Sequence, residues 1–261
     1  MLSEAEWPRR VNEHHSVGLV AMKPGACAAP SIAGLRSMGL LGALPADTLR
    51  VIAEQCVWRR YSAGARIVSR EAREYDVYWI ITGSVRVTAF SRTGRQVTYR
   101  DLHAGDWFGD LAAIDHCPRS ADVIALDEST LASLRSEQFV ELIFSHRPVA
   151  DAMLRHLAHR VRDLTDRVFE LSTASVPCRI DAEILRLVRI VGATQNRCRI
   201  DPAPRHSDIA TRVSTNREQV TRELSRLVKQ GVLSRDARTL IVQDVARLER
   251  LVAGFQGTVP D

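Results

Sequence analysis

The chain has 261 residues, 45% of them apolar and 26% charged, which suits a soluble globular protein large enough for more than one core. Its opening, MLSEAEWPRR, lacks the apolar stretch of a signal peptide, and the early run VGLVAM is far too short to cross a bilayer; a cytoplasmic protein with no membrane partner is expected. Five cysteines, odd in number and never spaced C-x-x-C, argue against a disulfide framework and a tetrahedral thiolate metal site. The net charge of +5 is unevenly placed: residues 1–175 hold 21 basic and 21 acidic side chains, whereas residues 176–261 hold 15 and 10. The last third therefore points to a polyanionic partner.

In chain order, residues 1–30 show no period and read as a mobile arm. LRSMGLLGALPADTLRVIAEQC carries short helical patterns. The segments ARIVSR, VYWIITGSVRVTAF, RQVTYRDL and ADVIAL follow, rich in β-branched and aromatic residues and punctuated by Gly64, Gly83, Gly94, Gly105 and Gly109. That spacing predicts a compact antiparallel barrel or roll over residues 31–147. Past Pro148 the period changes. Ala150, Leu154, Leu157, Val161, Leu164, Val168 and Leu171 alternate at spacings of four and three, the seam of a parallel two-stranded coiled coil. Residues 148–175 are thus expected to form a dimerisation helix ending in a hinge.

Residues 176–261 read as helices around a tight turn, then a β-hairpin, then a last helix: a winged helix-turn-helix. Ser207 is placed to cap the first helix of the motif. Thr215, with Glu218 three residues on, forms a capping box for the second. On that second helix Val220, Leu224, Leu227 and Val228 face inward, and Arg217, Glu218, Thr221 and Arg222 fan across another arc. Guanidinium groups pair with guanine O6 and N7, and a carboxylate accepts from the cytosine amine, so this arc suits base edges in a major groove. A solvated Arg/Glu face remains the alternative.

The stretch GDLAAIDHCPRSA, residues 109–121, holds the other candidate chemistry. Gly109 permits a close turn, Arg119 can clamp a phosphate through two nitrogens with Ser120 adding a hydroxyl, and Asp110 suits a sugar hydroxyl. This is the layout for a nucleotide with a short phosphate linkage. An Asp–Arg surface pair at a barrel corner is the alternative from spacing alone.

Both stretches resemble those of the Crp/Fnr family of bacterial transcription regulators. GDLAAIDHCPRSA is similar to its phosphate-binding cassette, Gly-Glu-(Leu/Met)-Ala…Pro-Arg-Ser-Ala, and NREQVTREL to its recognition helix. The likeness spans about residues 35–250. It implies an α+β protein: an N-terminal cyclic-nucleotide-binding, jelly-roll-like β-roll, a long dimerisation helix and a C-terminal winged helix-turn-helix. It implies no catalytic residues and no metal. Gly109, Asp110, Leu111, Arg119 and Ser120 would hold cyclic AMP or cyclic GMP as an allosteric effector, with Thr165 of the long helix at the base. Ser207, Thr215, Asn216, Arg217, Glu218, Thr221 and Arg222 would face double-stranded DNA, a palindromic operator with half-sites like TGTGA bound by a homodimer. RNA polymerase is a candidate further partner.

Three departures stand out. Asp110 is one methylene shorter than the usual glutamate, Ser214 replaces a turn glycine, and His116 and Cys117 occupy the cassette tip. Competing expectations are a haem sensor using His103, His116 or Cys117, a thiol redox sensor, a regulator without effector, and a cyclic-nucleotide module acting on a protein partner. His156 and His159 are expected on the solvated surface of the long helix.

Overall fold

The apolar run Val77–Ile81 has no alternation of polarity because both of its faces are covered. Val77, Trp79 and Ile81 point into one core, whereas Tyr78 and Ile80 point into another. A strand buried on two sides needs no polar face, and this one organises the first half of the molecule.

The computed structural model describes residues 26–256. The expected arm therefore lies outside the described residues as far as residue 25, and its end pairs as a short strand. The order begins β1 (Ala26–Cys27), α1 (Ile32–Arg36), α2 (Ala46–Gln55), β2 (Val57–Tyr61), β3 (Arg66–Val68), β4 (Val77–Thr82), β5 (Ser84–Phe90) and β6 (Gln96–His103). Next come β7 (Trp107–Phe108), α3 (Asp110–Asp115), β8 (Asp122–Ala125), β9 (Ser129–Leu134), α4 (Ser136–Ser145) and α5 (Arg147–Thr173). The chain continues through α6 (Val176–Val191), β10 (Cys198–Ile200), α7 (His206–Arg212), α8 (Arg217–Lys229), β11 (Leu233–Asp236), β12 (Thr239–Val242) and α9 (Val245–Gln256).

Two antiparallel sheets, in the orders β1-β2-β9-β4-β7 and β3-β8-β5-β6, form the roll. Gly83, at φ +84°, carries the chain from the first sheet into the second; a Cβ there would stand 2.6 Å from the Glu128 carbonyl oxygen. Tyr61, Ile67, Ile80, Val85, Leu102, Phe108 and Leu131 fill the space between the sheets. The outer face of the first sheet is covered by α1, α2, α4 and the start of α5, with Trp79, Leu35, Leu49, Phe139 and Met153 at its centre.

Pro148 in the first turn suits the start of α5, where its missing N–H costs nothing. Val149 and Met153 are buried against the roll and Leu157 is half-buried on the same core. Farther along, Leu154, Val161, Leu164 and Val168 are 50–68% exposed. The predicted seam is thus split. Leu157 serves the chain's own roll, Ala150 is half-buried, and Leu154, Val161, Leu164, Val168 and Leu171 form an exposed apolar stripe. A short link at Ala174–Ser175 separates α5 from α6.

The third core joins α6, α7, α8, α9 and the sheet β10-β12-β11 through Ile184, Ile209, Val220, Leu224, Leu227 and Leu248. Val220, Leu224 and Leu227 face inward as the helical period requires, but Val228 is 40% exposed, one step past the edge of the buried stripe.

The roll and this last unit touch through β6 and α7. In the β5–β6 ladder Val87 pairs with Arg100 and Thr88 with Thr98, so Tyr99 is an extra residue in β6. Such a bulge re-aims neighbouring side chains. Asp101 accepts from Arg86 at 2.8 Å and from Arg212 of α7 at 2.5 Å, and Arg86 also reaches Asp208 of α7 at 2.9 Å. The Thr98 and Thr211 hydroxyls meet at 2.9 Å. Burial alone would raise the Asp101 pKa, but the hydrogen bond from Arg86 and the charges of Arg212 and Arg86 hold it below the usual carboxylate range.

Candidate functional site

The sequence-predicted cassette is built around Gly109. This residue, at φ +93°, precedes α3; a Cβ there would lie 2.5 Å from the Asp76 carbonyl oxygen and 2.7 Å from Arg119 Nη1. Only glycine lets the backbone pass so close to the guanidinium. Arg119 is 4% exposed. It donates from Nη1 to the Gly109 carbonyl at 3.2 Å and from Nη2 to that of Asp76 at 2.6 Å, while Nε is buried without a partner. The guanidinium carbon lies 5.8 Å from the centre of the Tyr78 ring. Burial lowers the Arg119 pKa from its ordinary value, against the opposing pull of Tyr78, Glu74 and Asp76. Among the described residues no carboxylate lies within 4.0 Å of it. Ser120 and Leu111 are exposed at the edge of this arrangement.

Asp110 is only 7% exposed and turns toward α5. There it meets His156, whose Nε2 is 3.9 Å from Asp110 Oδ2. The imidazole lies against the Trp107 indole with centroids 4.4 Å apart. Burial lowers the His156 pKa, partly offset by the Asp110 charge. Arg100 approaches the same group from β6; burial, then the nearby charge of Arg160, pushes its pKa down to about 10. His156 is therefore not on the solvated surface, as its helix position suggested. It lies seven residues after buried Val149 and three after buried Met153, on the face of α5 that meets β7 through Trp107, a face the seam pattern does not single out. His159 is exposed as expected. Thr165 is also exposed, its hydroxyl donating to the Val161 carbonyl at 2.9 Å. His103, His116 and Cys117 are exposed, and no group of three potential metal ligands occurs among the described residues.

The second candidate surface is α8. Its N-cap is Asn216, whose Oδ1 accepts from the Gln219 amide at 2.9 Å. The expected Thr215–Glu218 box does not form: Ser214 takes the left-handed conformation, φ +55°, and starts the helix one residue later. Thr215 instead donates to the Gln219 side chain. Similarly, Ser207 sits inside the first turn of α7, whose N-cap is Arg205 with no side-chain bond. Asn216, Arg217, Glu218, Thr221 and Arg222 are all exposed on one side of α8. Ser207, Arg205 and the wing residues Arg235 and Arg238 are exposed as well.

One residue of this surface had no sequence signal. His206 Nδ1 is 2.7 Å from the Thr221 hydroxyl, which itself donates to the Arg217 carbonyl, and Arg235 reaches His206 Nε2 at 2.5 Å. The hydroxyl can then only accept from Nδ1–H, leaving Nε2 to accept from the arginine. His206 thereby ties the wing to α8. Burial, with Arg235 and Arg217 nearby, lowers its pKa.

A roll with a buried guanidinium at a glycine turn, joined to a helix-turn-helix with an exposed polar fan and a wing, is the architecture of a small-molecule-binding type of domain coupled to a DNA-binding type of domain. Family comparison agrees: residues 58–146 match the cyclic nucleotide-binding domain and residues 179–251 the Crp-like helix-turn-helix domain. The chain belongs to the Crp/Fnr family of transcription regulators. It is 28% identical over 197 residues to the cyclic AMP receptor protein of Thermus thermophilus, covering 76% of this chain and 88% of the relative. It is 28% identical over 191 residues to the cAMP-activated global transcriptional regulator Vfr of Pseudomonas aeruginosa, covering 72% and 89%. Among solved structures, a CooA mutant from Carboxydothermus hydrogenoformans shares the fold with a TM-score of 0.69 at 20% identity, covering 78% of this chain and 90% of that one. These relatives are regulators, not enzymes. No helix among the described residues is long and apolar enough to cross a membrane.

Proposed function

We propose that the chain is a homodimeric transcription regulator whose operator affinity is set by cyclic AMP or cyclic GMP bound in the roll. Arg119 carries this reading. A guanidinium with no carboxylate within ion-pair distance among the described residues is kept at 4% exposure, inside a domain matched to cyclic nucleotide binding. Burying a cation without an anion is costly, and a cyclic phosphate would supply the missing charge, exchanging for the carbonyls of Asp76 and Gly109. Relatives named for cyclic AMP support the same effector class.

In this reading residues 31–147 are the sensor, 148–175 the dimer helix and hinge, and 176–261 the DNA-binding domain. The exposed stripe of Leu154, Val161, Leu164 and Val168 would be covered by the same stripe of a second copy. The two α8 helices would then enter successive major grooves of a palindromic site with half-sites similar to TGTGA. Arg217, Glu218, Thr221 and Arg222 would read bases, and Arg205 and Arg238 would hold phosphates. Effector bound between cassette and α5 favours one dimer geometry, a population shift read out as operator affinity. At the promoter, RNA polymerase would be the further partner.

Titration calorimetry with both nucleotides, on wild type and Arg119→Ala, tests the proposal, with sedimentation run alongside. Wild type should bind about one nucleotide per chain and sediment as a dimer. Losing a charged hydrogen bond should cost about 1.5–3 kcal/mol in the variant. Binding of neither nucleotide, or affinity indifferent to Arg119→Ala, overturns it.

A further inference from the structure

Asp110 and His156 stand apart in a way that one ligand atom would complete. Their facing atoms, Oδ2 and Nε2, are 3.9 Å apart, too far for a hydrogen bond between them. A single oxygen about 2.8 Å from each would satisfy both. His156 Nε2 is shielded from solvent and has no partner, so the position asks for one. The ring cannot easily turn away, because it lies on Trp107, whose backbone pairs with Trp79 in the centre of the roll.

Chemistry selects the bridging group. A carboxylate only accepts, and an imidazole carrying its proton on Nε2 donates. A hydroxyl can give its proton to Asp110 and accept from His156; a carbonyl or an ether oxygen cannot do both. Burial holds the imidazole pKa below its ordinary value, which keeps the ring neutral near pH 7 with Asp110, Asp106, Arg100 and Arg160 as the charged groups around it. Asp110 is one methylene shorter than the acid usual in this cassette. A shorter acid reaches less far, and His156 supplies a second contact from the opposite wall.

We propose that His156 is a specificity-determining residue of the effector site: with Asp110 it forms a two-point receptor for the sugar 2′-hydroxyl of a cyclic nucleotide. This rests on the cyclic-nucleotide reading above and deepens it. The bridge has a structural consequence, since one hydroxyl then joins α3 to the long helix α5 and ties that helix to occupancy of the roll.

The test compares cyclic AMP with its 2′-deoxy analogue by calorimetry at pH 7.5, using the full chain. Wild type should prefer the ribose form at least tenfold. His156→Phe keeps a ring on Trp107 and removes both nitrogens; it should bind cyclic AMP about tenfold more weakly, bind the deoxy analogue as before, and lose most of the preference. Two polar variants make the test independent of how the phenylalanine packs. His156→Gln places an amide nitrogen near the Nε2 position and should keep part of the preference, whereas His156→Asn, which stops short, should lose it. Full preference in His156→Phe or His156→Asn overturns the proposal, as does an equal loss of both ligands, which would mark a packing role. Wild type that binds cyclic AMP yet ignores the 2′-hydroxyl overturns this proposal alone, whereas wild type that binds no cyclic nucleotide removes the effector reading and this inference with it.

Discussion

The cassette and the reading face of α8 use the same residue types, arginine, acid and hydroxyl, in opposite surroundings. In the cassette Arg119 and Asp110 are 4% and 7% exposed, and their neighbours come from β4, β6, β7, α3 and α5. On α8 the arginines and Glu218 all come from one helix and stand in solvent. A buried ionisable group must be matched atom by atom, so the cassette suits one small ligand. An exposed array keeps its hydration until a polyanion displaces it, so α8 suits a long, charged groove. Under the proposed function, the same side-chain types would serve a small-molecule site and a DNA surface according to burial.

The contrast predicts how each region responds to mutation, and Gly109→Ala strains it most. The new methyl meets the Asp76 carbonyl and the Arg119 guanidinium at a backbone angle that alanine rarely adopts. Strain and overpacking together should destabilise the sensor by about 2–5 kcal/mol, measured by denaturant unfolding. A variant as stable as wild type would mean that the cassette is loose, and the comparison with α8 would lose its basis.

Substitutions on α8 should leave stability nearly untouched and act on DNA alone. Arg217→Ala or Arg222→Ala should each cost ~1–3 kcal/mol of operator affinity and relax preference at one position per half-site. Arg205→Ala and Arg238→Ala should weaken all sequences alike and reduce the salt slope by about one unit per lost contact. Binding-site selection at two salt concentrations separates the two classes. Wild-type sequence preference in both Arg217→Ala and Arg222→Ala would remove α8 as the reader.

How far each region could be read from the sequence follows from the same contrast. The α8 surface was legible because a helix maps sequence onto space by one rule, 100° per residue, and neighbours in the fan are neighbours in the chain. Even its misread cap moved only one residue, since Thr215 and Asn216 are both capable caps and Ser214 decided between them. The cassette motif was legible as a string, Gly109 to Ser120, but its second wall was not. His156, Arg100 and Trp107 come from separate elements, brought together by the packing of α5 on β7 and by the extra residue Tyr99 in β6. The contact of α7 with β6 was invisible for the same reason, as Asp101 and Arg212 are 111 positions apart. His206 was missed because its partners, Thr221 and Arg235, meet it only when the wing folds back.

The last test lies where the contrast is least sharp, beneath the exposed face of α8. Asp181 of α6 and Glu223 of α8 are 4% and 5% exposed, and Arg226 reaches both. Burial first, then the Glu223 charge, pushes the Asp181 pKa up to about 8, and its Oδ1 has no partner. A carboxyl that holds its proton more tightly folded than unfolded contributes stability that is complete below its unfolded pKa, about 4, and declines as pH rises toward the folded value. The DNA-binding domain should therefore lose stability between about pH 4 and pH 8. Asp181→Asn keeps the shape, cannot ionise and can donate to Glu223. It should melt above wild type at pH 8.5, with the gap narrowing as the pH falls toward 5. Thermal melts at the two pH values decide the matter. An offset of the same size at both would assign the change to packing, and the reading helix would then rest on a floor whose stability does not depend on pH.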